Sequence, residues 1–168
     1  MIKSNKTLAK PFLKWAGGKT QLLFEIESNL PEDIKTKQYT FIEPFIGGGS
    51  VMFWILNKYP NIKNAIINDI NTDLTDCYIT IKNNVNELID ILNKWEKEYH
   101  KLNTRKEYYY QKRELFNLRS SNQITQSALL IFLNKTCFNG LYRVNRKNEF
   151  NVPIGSYKTP NICNTVNL

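Results

Sequence analysis

A strand-like run, Tyr39 to Glu43, passes through Pro44 into Gly47-Gly48-Gly49-Ser50, and Asp69 follows 20 residues beyond Gly49 at the close of a second apolar run. A glycine-rich turn after a strand lets the backbone approach a ligand closely and presents amide donors at the start of the next helix. An acid at the end of the following strand is placed to accept hydrogen bonds from ribose hydroxyls, as in nucleotide-cofactor folds. G-x-G-x-x-G is absent, so a pyrophosphate-binding dinucleotide site is not the best match. Taken alone, the turn and the acid also fit a purely structural loop. A second glycine cluster, Ala16-Gly17-Gly18-Lys19-Thr20, ends like a phosphate-binding P-loop. That motif, G-x-x-x-x-G-K-[ST], requires glycine at position 13, where Leu13 stands, so it fails. The lone His100 and the absence of G-x-S-x-G argue against a hydrolase triad or a His-based metal site.

The elements that must hold these residues follow from the apolar pattern. After a polar N-terminal arm, Pro11 to Lys19 reads as a loop, and Thr20 to Leu30 as a short helix ended by Pro31. Tyr39 to Glu43 is a strand, Val51 to Lys58 a helix and Asn64 to Asn68 a second buried strand, a βαβ unit that predicts a parallel sheet. Leu74 to Asn83 reads as a helix. Val85, Leu88, Ile89, Leu92, Trp95 and Tyr99 form the core face of another. Arg105 to Arg119 and Ile124 to Cys137 are helical, and beyond Phe138 the pattern changes to loop and hairpin, with Pro153-Ile154-Gly155 as a turn. Tyr108, Tyr109 and Tyr110 could be taken for a base-stacking ladder, but successive helical residues point about 100° apart, so they are expected to pack.

The 168 residues and 42% hydrophobic content suit one domain, or a core with a small lobe. Met1 to Lys10 carries Lys3, Lys6 and Lys10 but no apolar segment of a secretion signal, and the longest apolar run, Ala128 to Leu133, is too short to span a bilayer. Cys77, Cys137 and Cys163 are odd in number and widely spaced, so neither a disulfide framework nor a zinc site is expected, and a cytoplasmic location is. Residues 1–100 balance 12 Lys/Arg against 12 Asp/Glu, whereas residues 101–168 hold 11 Lys/Arg against Glu107, Glu114 and Glu149 alone, which carries the whole net charge of +8. Such a region can neutralise nucleic-acid phosphates. A solvated basic face without a partner fits the charge equally well.

Phe12-Leu13-Lys14-Trp15-Ala16-Gly17-Gly18-Lys19, then Phe41-Ile42-Glu43-Pro44-Phe45-Ile46-Gly47-Gly48-Gly49-Ser50-Val51, then Asn68-Asp69-Ile70-Asn71, resemble the opening of the DNA adenine methylase (Dam) family. Asn134 to Arg146 and Glu149 to Gly155 resemble its target-recognition segment, so the likeness runs from about Pro11 to Tyr157. The resemblance implies an S-adenosylmethionine site with Trp15 and Lys19 flanking the cofactor, Glu43, Phe45, Gly47 and Gly49 forming its cradle, and Asp69 on the sugar hydroxyls. It also implies double-stranded DNA as partner. Arg143 would read a guanine, Phe138 and Asn139 would fill or line the space of a flipped adenine, Leu141 would touch a thymine methyl and Lys14 would reach an outer base pair. For Trp15 a core anchor, for Phe138 a helix cap and for Arg143 a phosphate contact are the plain alternatives.

The fold so implied is an incomplete Rossmann-like α/β methyltransferase core (residues 1–83) with an inserted, mainly helical DNA-recognition lobe (84–160) and the start of a return to the core (161–168). Adenine N6 is a poor nucleophile, and the family acts on it through (Asp/Asn)-Pro-Pro-(Tyr/Phe). No Pro-Pro occurs among the 168 residues. The expectation is therefore a chain that lacks its catalytic motif and exposes an apolar sheet face, as a fragment, a split protein or a chain that needs a complementary C-terminal half; a non-catalytic DNA- or cofactor-binding module derived from such an enzyme is the alternative.

Overall fold

A computed structural model describes residues 8–168, so most of the expected polar arm, with Lys3 and Lys6, lies outside the described residues. The helix expected over 20–30 is a 3-10 turn, Thr20–Leu22, running into α1, Leu23–Ser28. β1 (Tyr39–Glu43), α2 (Ser50–Lys58) and β2 (Ile62–Ile67) then form the βαβ unit, and the two strands pair in parallel. In this register Phe41 opposes Ala65 and Glu43 opposes Ile67 on one face, while Ile42 opposes Ile66 on the other. Phe41 and Ile67 pack against the core, whereas Ile42 and Ile66 both stand exposed, as the expected uncovered sheet face requires.

The two helices expected over 74–99 are two helical segments of α3 (Thr72–Lys101) that meet without a loop at a kink, where Asn84 leaves helical geometry (φ −137°, ψ 34°) at the expected boundary. Asn71 caps α3 by accepting from the Leu74 amide at 3.1 Å, and Asn122 caps the helix that begins at Gln123 in the same way from Thr125 at 2.8 Å. α4 (Lys106–Leu118) and α5 (Gln123–Thr136) follow, and a 3-10 turn, Phe138–Gly140, opens the last segment. α5 is buried from Ser127 to Asn134 on every side, the mark of a central helix. α3 and α4 pack around it, with Trp95, Tyr99, Tyr108 and Phe132 in edge-on aromatic contact. Tyr109 is fully buried and donates to Val152 O, and Tyr108 donates to Glu98, so the tyrosine triplet packs as its helical phase requires.

One hydrophobic cluster runs from Phe12, Leu13, Ile46 and Met52 through Leu74 and Cys77 to the side chains of α3, α4 and α5. The glycine-rich loops and the helices therefore share a core. The expected hairpin exists as two antiparallel bridges, Cys137 with Ile154 and Val144 with Phe150. The last residues turn back to the first described loop, where Asn167 both accepts from Lys10 N and donates to Lys10 O at 2.9 Å, and Glu96 accepts from the amide of Ile162 at 2.7 Å. No helix among the described residues is long and apolar enough to cross a membrane.

Candidate functional site

The glycine turn is bent by two left-handed residues, Gly47 (φ 51°) and Gly49 (φ 79°). Gly49 starts α2, and a Cβ there would lie 2.6 Å from the Tyr78 hydroxyl and 2.9 Å from the Phe53 ring. Tyr78, on α3, donates to Gly47 O at 3.1 Å and so fixes the turn from below. Asp69 fixes it from the side: one carboxylate oxygen accepts from Gly47 N and the other from Asn71 N, both at 3.0 Å. The acid thus ties the turn to the start of α3, and its remaining lone pairs stay available to a hydroxyl.

A cavity of about 150 Å³ opens above the turn, lined by Trp15 to Lys19, Phe45 to Gly48, Ser50 and Asp69. Five of the seven expected cofactor residues, Trp15, Lys19, Phe45, Gly47 and Asp69, meet on its wall. Glu43 and Gly49 do not line it: Gly49 closes the turn at the start of α2, and Glu43 is buried at the end of β1. Glu43 is 8% exposed with one carboxylate oxygen lacking a hydrogen-bond partner, and burial raises its pKa, opposed by the charge of Lys19. Lys19 donates from its backbone to Ser50 Oγ at 3.2 Å and from Nζ to Phe45 O at 3.4 Å, which closes the two glycine loops on each other. Ile70, next to Asp69, is 94% exposed, an apolar surface that sequence reasoning passed over.

The second set of residues begins one position away. Lys14 precedes Trp15, and its backbone is clasped by Asn134, whose Oδ1 accepts from Lys14 N at 2.9 Å and whose Nδ2 donates to Lys14 O and to Gly140 O, each at 2.8 Å. Asn134 is buried and holds the first motif against the turn that carries Phe138 and Asn139. Phe138 is 51% exposed, and Asn139 is left-handed (φ 54°) and exposed. Leu141 and Arg143 are exposed as well. Arg143 Nε donates to Asn151 Oδ1 at 2.7 Å and Nη2 to Asn151 O at 3.4 Å, so the guanidinium is aimed by its neighbour before any partner arrives. Lys14 Nζ lies 3.3 Å from the Tyr157 hydroxyl.

Trp15 joins the two sets, because its ring stacks on Tyr142 with centroids 4.8 Å apart and planes 28° apart. Tyr142 and Asn134 stood within the recognised motif, yet nothing in spacing alone marks them; only their partners do. The basic excess of residues 101–168 is partly structural. Arg119 pairs with Asp73, Arg113 donates to Val152 O, Arg105 to Lys158 O, and Lys112 Nζ sits 3.8 Å from the centre of the Trp95 ring. Burial lowers the pKa of Lys112 to about 8. Arg146, Lys147 and Lys158 remain exposed. Cys77, Cys137 and Cys163 are each buried and unpaired, and burial pushes the Cys137 thiol up to about 11.

Comparison with known proteins adds an independent finding. The profile of the D12 class N6 adenine-specific DNA methyltransferases matches residues 15–168. The type II methyltransferase M.MjaIII of Methanocaldococcus jannaschii is 52% identical over 164 residues, covering 95% of this chain and 56% of its own. The DNA adenine methylase of Haemophilus influenzae is 43% identical over 150 residues (89% and 48%), and the type II methyltransferase M1.LlaDCHI of Lactococcus lactis subsp. cremoris is 39% identical over 171 (96% and 53%). The chain spans about half the length of these curated relatives.

Proposed function

Since the chain belongs to the D12 class N6 adenine-specific DNA methyltransferase family, we propose that the protein transfers a methyl group from S-adenosylmethionine to adenine N6 in duplex DNA, within a short palindrome such as GATC. The observation that carries this reading is the junction at Lys14-Trp15, where a cavity walled by glycine backbone and a carboxylate adjoins an exposed set of ring, amide and guanidinium groups.

The residues present fit the cofactor. Its reactive end is cationic and carries no phosphate, which agrees with a site holding Asp69 and, at the end of β1, a buried Glu43 with an unpartnered oxygen. The cavity is smaller than the roughly 300–1,000 Å³ of complete small-molecule sites. It suits the methionine end beside Trp15, Lys19, Phe45 and Gly47, with the ribose on Asp69 and the adenine over the exposed Ile70. When bound, S-adenosylmethionine supplies an electrophilic methyl on sulfur. The chain's own part is to hold that end against the turn and to bring duplex DNA alongside through Lys14, Phe138, Asn139, Leu141 and Arg143. On this reading residues 84–160 are the recognition lobe, and Arg143 pairs bidentately with a guanine.

The exposed Ile42–Ile66 face, continuous with the open groove lined by Ile66, Tyr78 and Ile79, supports a complementary C-terminal half that extends the sheet and brings (Asp/Asn)-Pro-Pro-(Tyr/Phe). A cytoplasmic location accompanies the proposal. The test is calorimetric binding of S-adenosylmethionine to the full chain, followed by methyl incorporation into GATC-containing duplex with and without a segment bearing that motif. Binding, with N6-methyladenine formed only when the segment bearing that motif is present, is expected. Failure to bind the cofactor would overturn the reading. Binding without methylation in either arm would favour a non-catalytic DNA- or cofactor-binding module.

A further inference from the structure

Trp15 is a wall of the cavity and a neighbour of the recognition segment at once. Added Cβ atoms on Gly47 and Gly48 would each come within 3.2 Å of Trp15, so its side chain is already seated against the turn. The ring lies on Tyr142, which stands between Leu141 and Arg143. The Tyr142 hydroxyl donates to Asp73 Oδ2 at 2.8 Å, in the first turn of α3 and four residues past Asp69. The other Asp73 oxygen pairs with Arg119, and Arg119 Nη2 donates at 3.4 Å to Asn148 O, at the turn of the Val144–Phe150 bridge. Tyr142 also meets the Phe150 ring, centroids 5.9 Å apart, so the cavity wall, the start of α3 and both sides of the hairpin meet at this one side chain.

We propose that Tyr142 is a positioning residue that couples cofactor occupancy to base reading by Arg143. This rests on the function proposed above. A ligand entering the cavity presses on or draws in the Trp15 ring. The Tyr142 ring stays in contact because separating two stacked half-buried rings forfeits their packing. With its hydroxyl held on Asp73, Tyr142 responds by pivoting, and the backbone it carries into Arg143 moves with it. Asn134 holds the neighbouring Lys14 backbone still, so the displacement passes through the rings rather than the loop. Coupling of this kind is reciprocal: DNA seated on Arg143 changes affinity for the cofactor by the same factor.

The experiment titrates the full chain with S-adenosylhomocysteine, alone and saturated with a duplex selected for tight binding from a randomised pool, and takes the ratio of the two affinities. In the unaltered protein the ratio departs from one by about fivefold or more. Tyr142→Leu, which leaves Arg143 and every cavity-lining side chain in place, brings it to within about twofold of one. Tyr142→Phe keeps the stack, loses the Asp73 bond and lowers the ratio part of the way. If Tyr142→Leu does not fold, Tyr142→Phe decides: a lowered ratio supports the coupling and an unchanged one overturns it. A ratio near one in the unaltered protein, or a full ratio in Tyr142→Leu, also overturns it. A merely structural Tyr142 would weaken both affinities alike and leave the ratio untouched. If the unaltered protein binds no S-adenosylhomocysteine, the functional reading fails and the coupling with it, an outcome distinct from the others.

Discussion

Replacing Gly49 by alanine tests whether the glycine turn is held by Tyr78 in the way its geometry indicates. The left-handed conformation (φ 79°) costs an L residue about 1–2 kcal/mol. The added Cβ would also stand 2.6 Å from the Tyr78 hydroxyl, which must move and give up its bond to Gly47 O, a loss of about 0.5–1.5 kcal/mol. Reduced freedom of the unfolded alanine chain returns about 0.4–1 kcal/mol. Gly49→Ala is therefore expected to destabilise by about 1–3 kcal/mol, and Tyr78→Phe alone by about 1 kcal/mol. The informative quantity is their combination. Once phenylalanine has removed the hydroxyl, the collision with it is gone and the Gly47 bond cannot be lost twice. The double variant should then be about 1 kcal/mol more stable than the sum of the singles predicts, while the backbone and Phe53 costs remain. Urea unfolding of the four proteins measures the cycle. Additivity to within about 0.3 kcal/mol would refute the argument, since it would mean that Tyr78 and Gly49 do not share a contact.

Asp69→Ala should lower cofactor affinity by about 1–3 kcal/mol, and because Asp69 also holds two backbone amides it should lower the urea midpoint; unchanged calorimetric affinity with an intact fold removes it from the site. Arg143→Ala should cost about 1–3 kcal/mol on a preferred duplex and little on unrelated DNA, whereas equal losses on both at two salt concentrations would make it a phosphate contact. Glu43, whose pKa is raised by burial, is a carboxyl whose neutral form the fold prefers, so its contribution to stability is present below the unfolded pKa and is lost as pH rises through the folded one. Glu43→Gln should accordingly raise the thermal midpoint at pH 7–8, with the gain fading as pH falls below the usual carboxylate range of about 4, and a gain independent of pH would exclude the charge as its cause.

The sequence by itself determined the parts of this protein that are local. Strand, glycine turn and helix over residues 39–58 were legible because a short apolar run, Pro44 with the glycines after it, and helical spacing each act within a few residues. The packing of the tyrosine triplet followed from the angle between successive helical side chains. The two motifs likewise marked Trp15, Lys19, Phe45, Gly47 and Asp69 before any of them was seen to line one cavity. What the tertiary structure decided is long-range. The boundary read near Asn84 is a kink, and only the tertiary structure shows that the two helical segments meet there without a loop, with Leu74 and Cys77 buried on one side and Leu88 and Leu92 on the other. Glu43 reads in sequence as part of a cradle, and only the tertiary structure shows that it is buried with one carboxylate oxygen unpartnered and its pKa raised. Asn134 and Tyr142 are ordinary polar and aromatic residues along the chain. They become the links between the cavity and the exposed segment 138–143 because folding brings Lys14-Trp15 across 120 or more positions to meet them, and no periodicity encodes a contact at that separation.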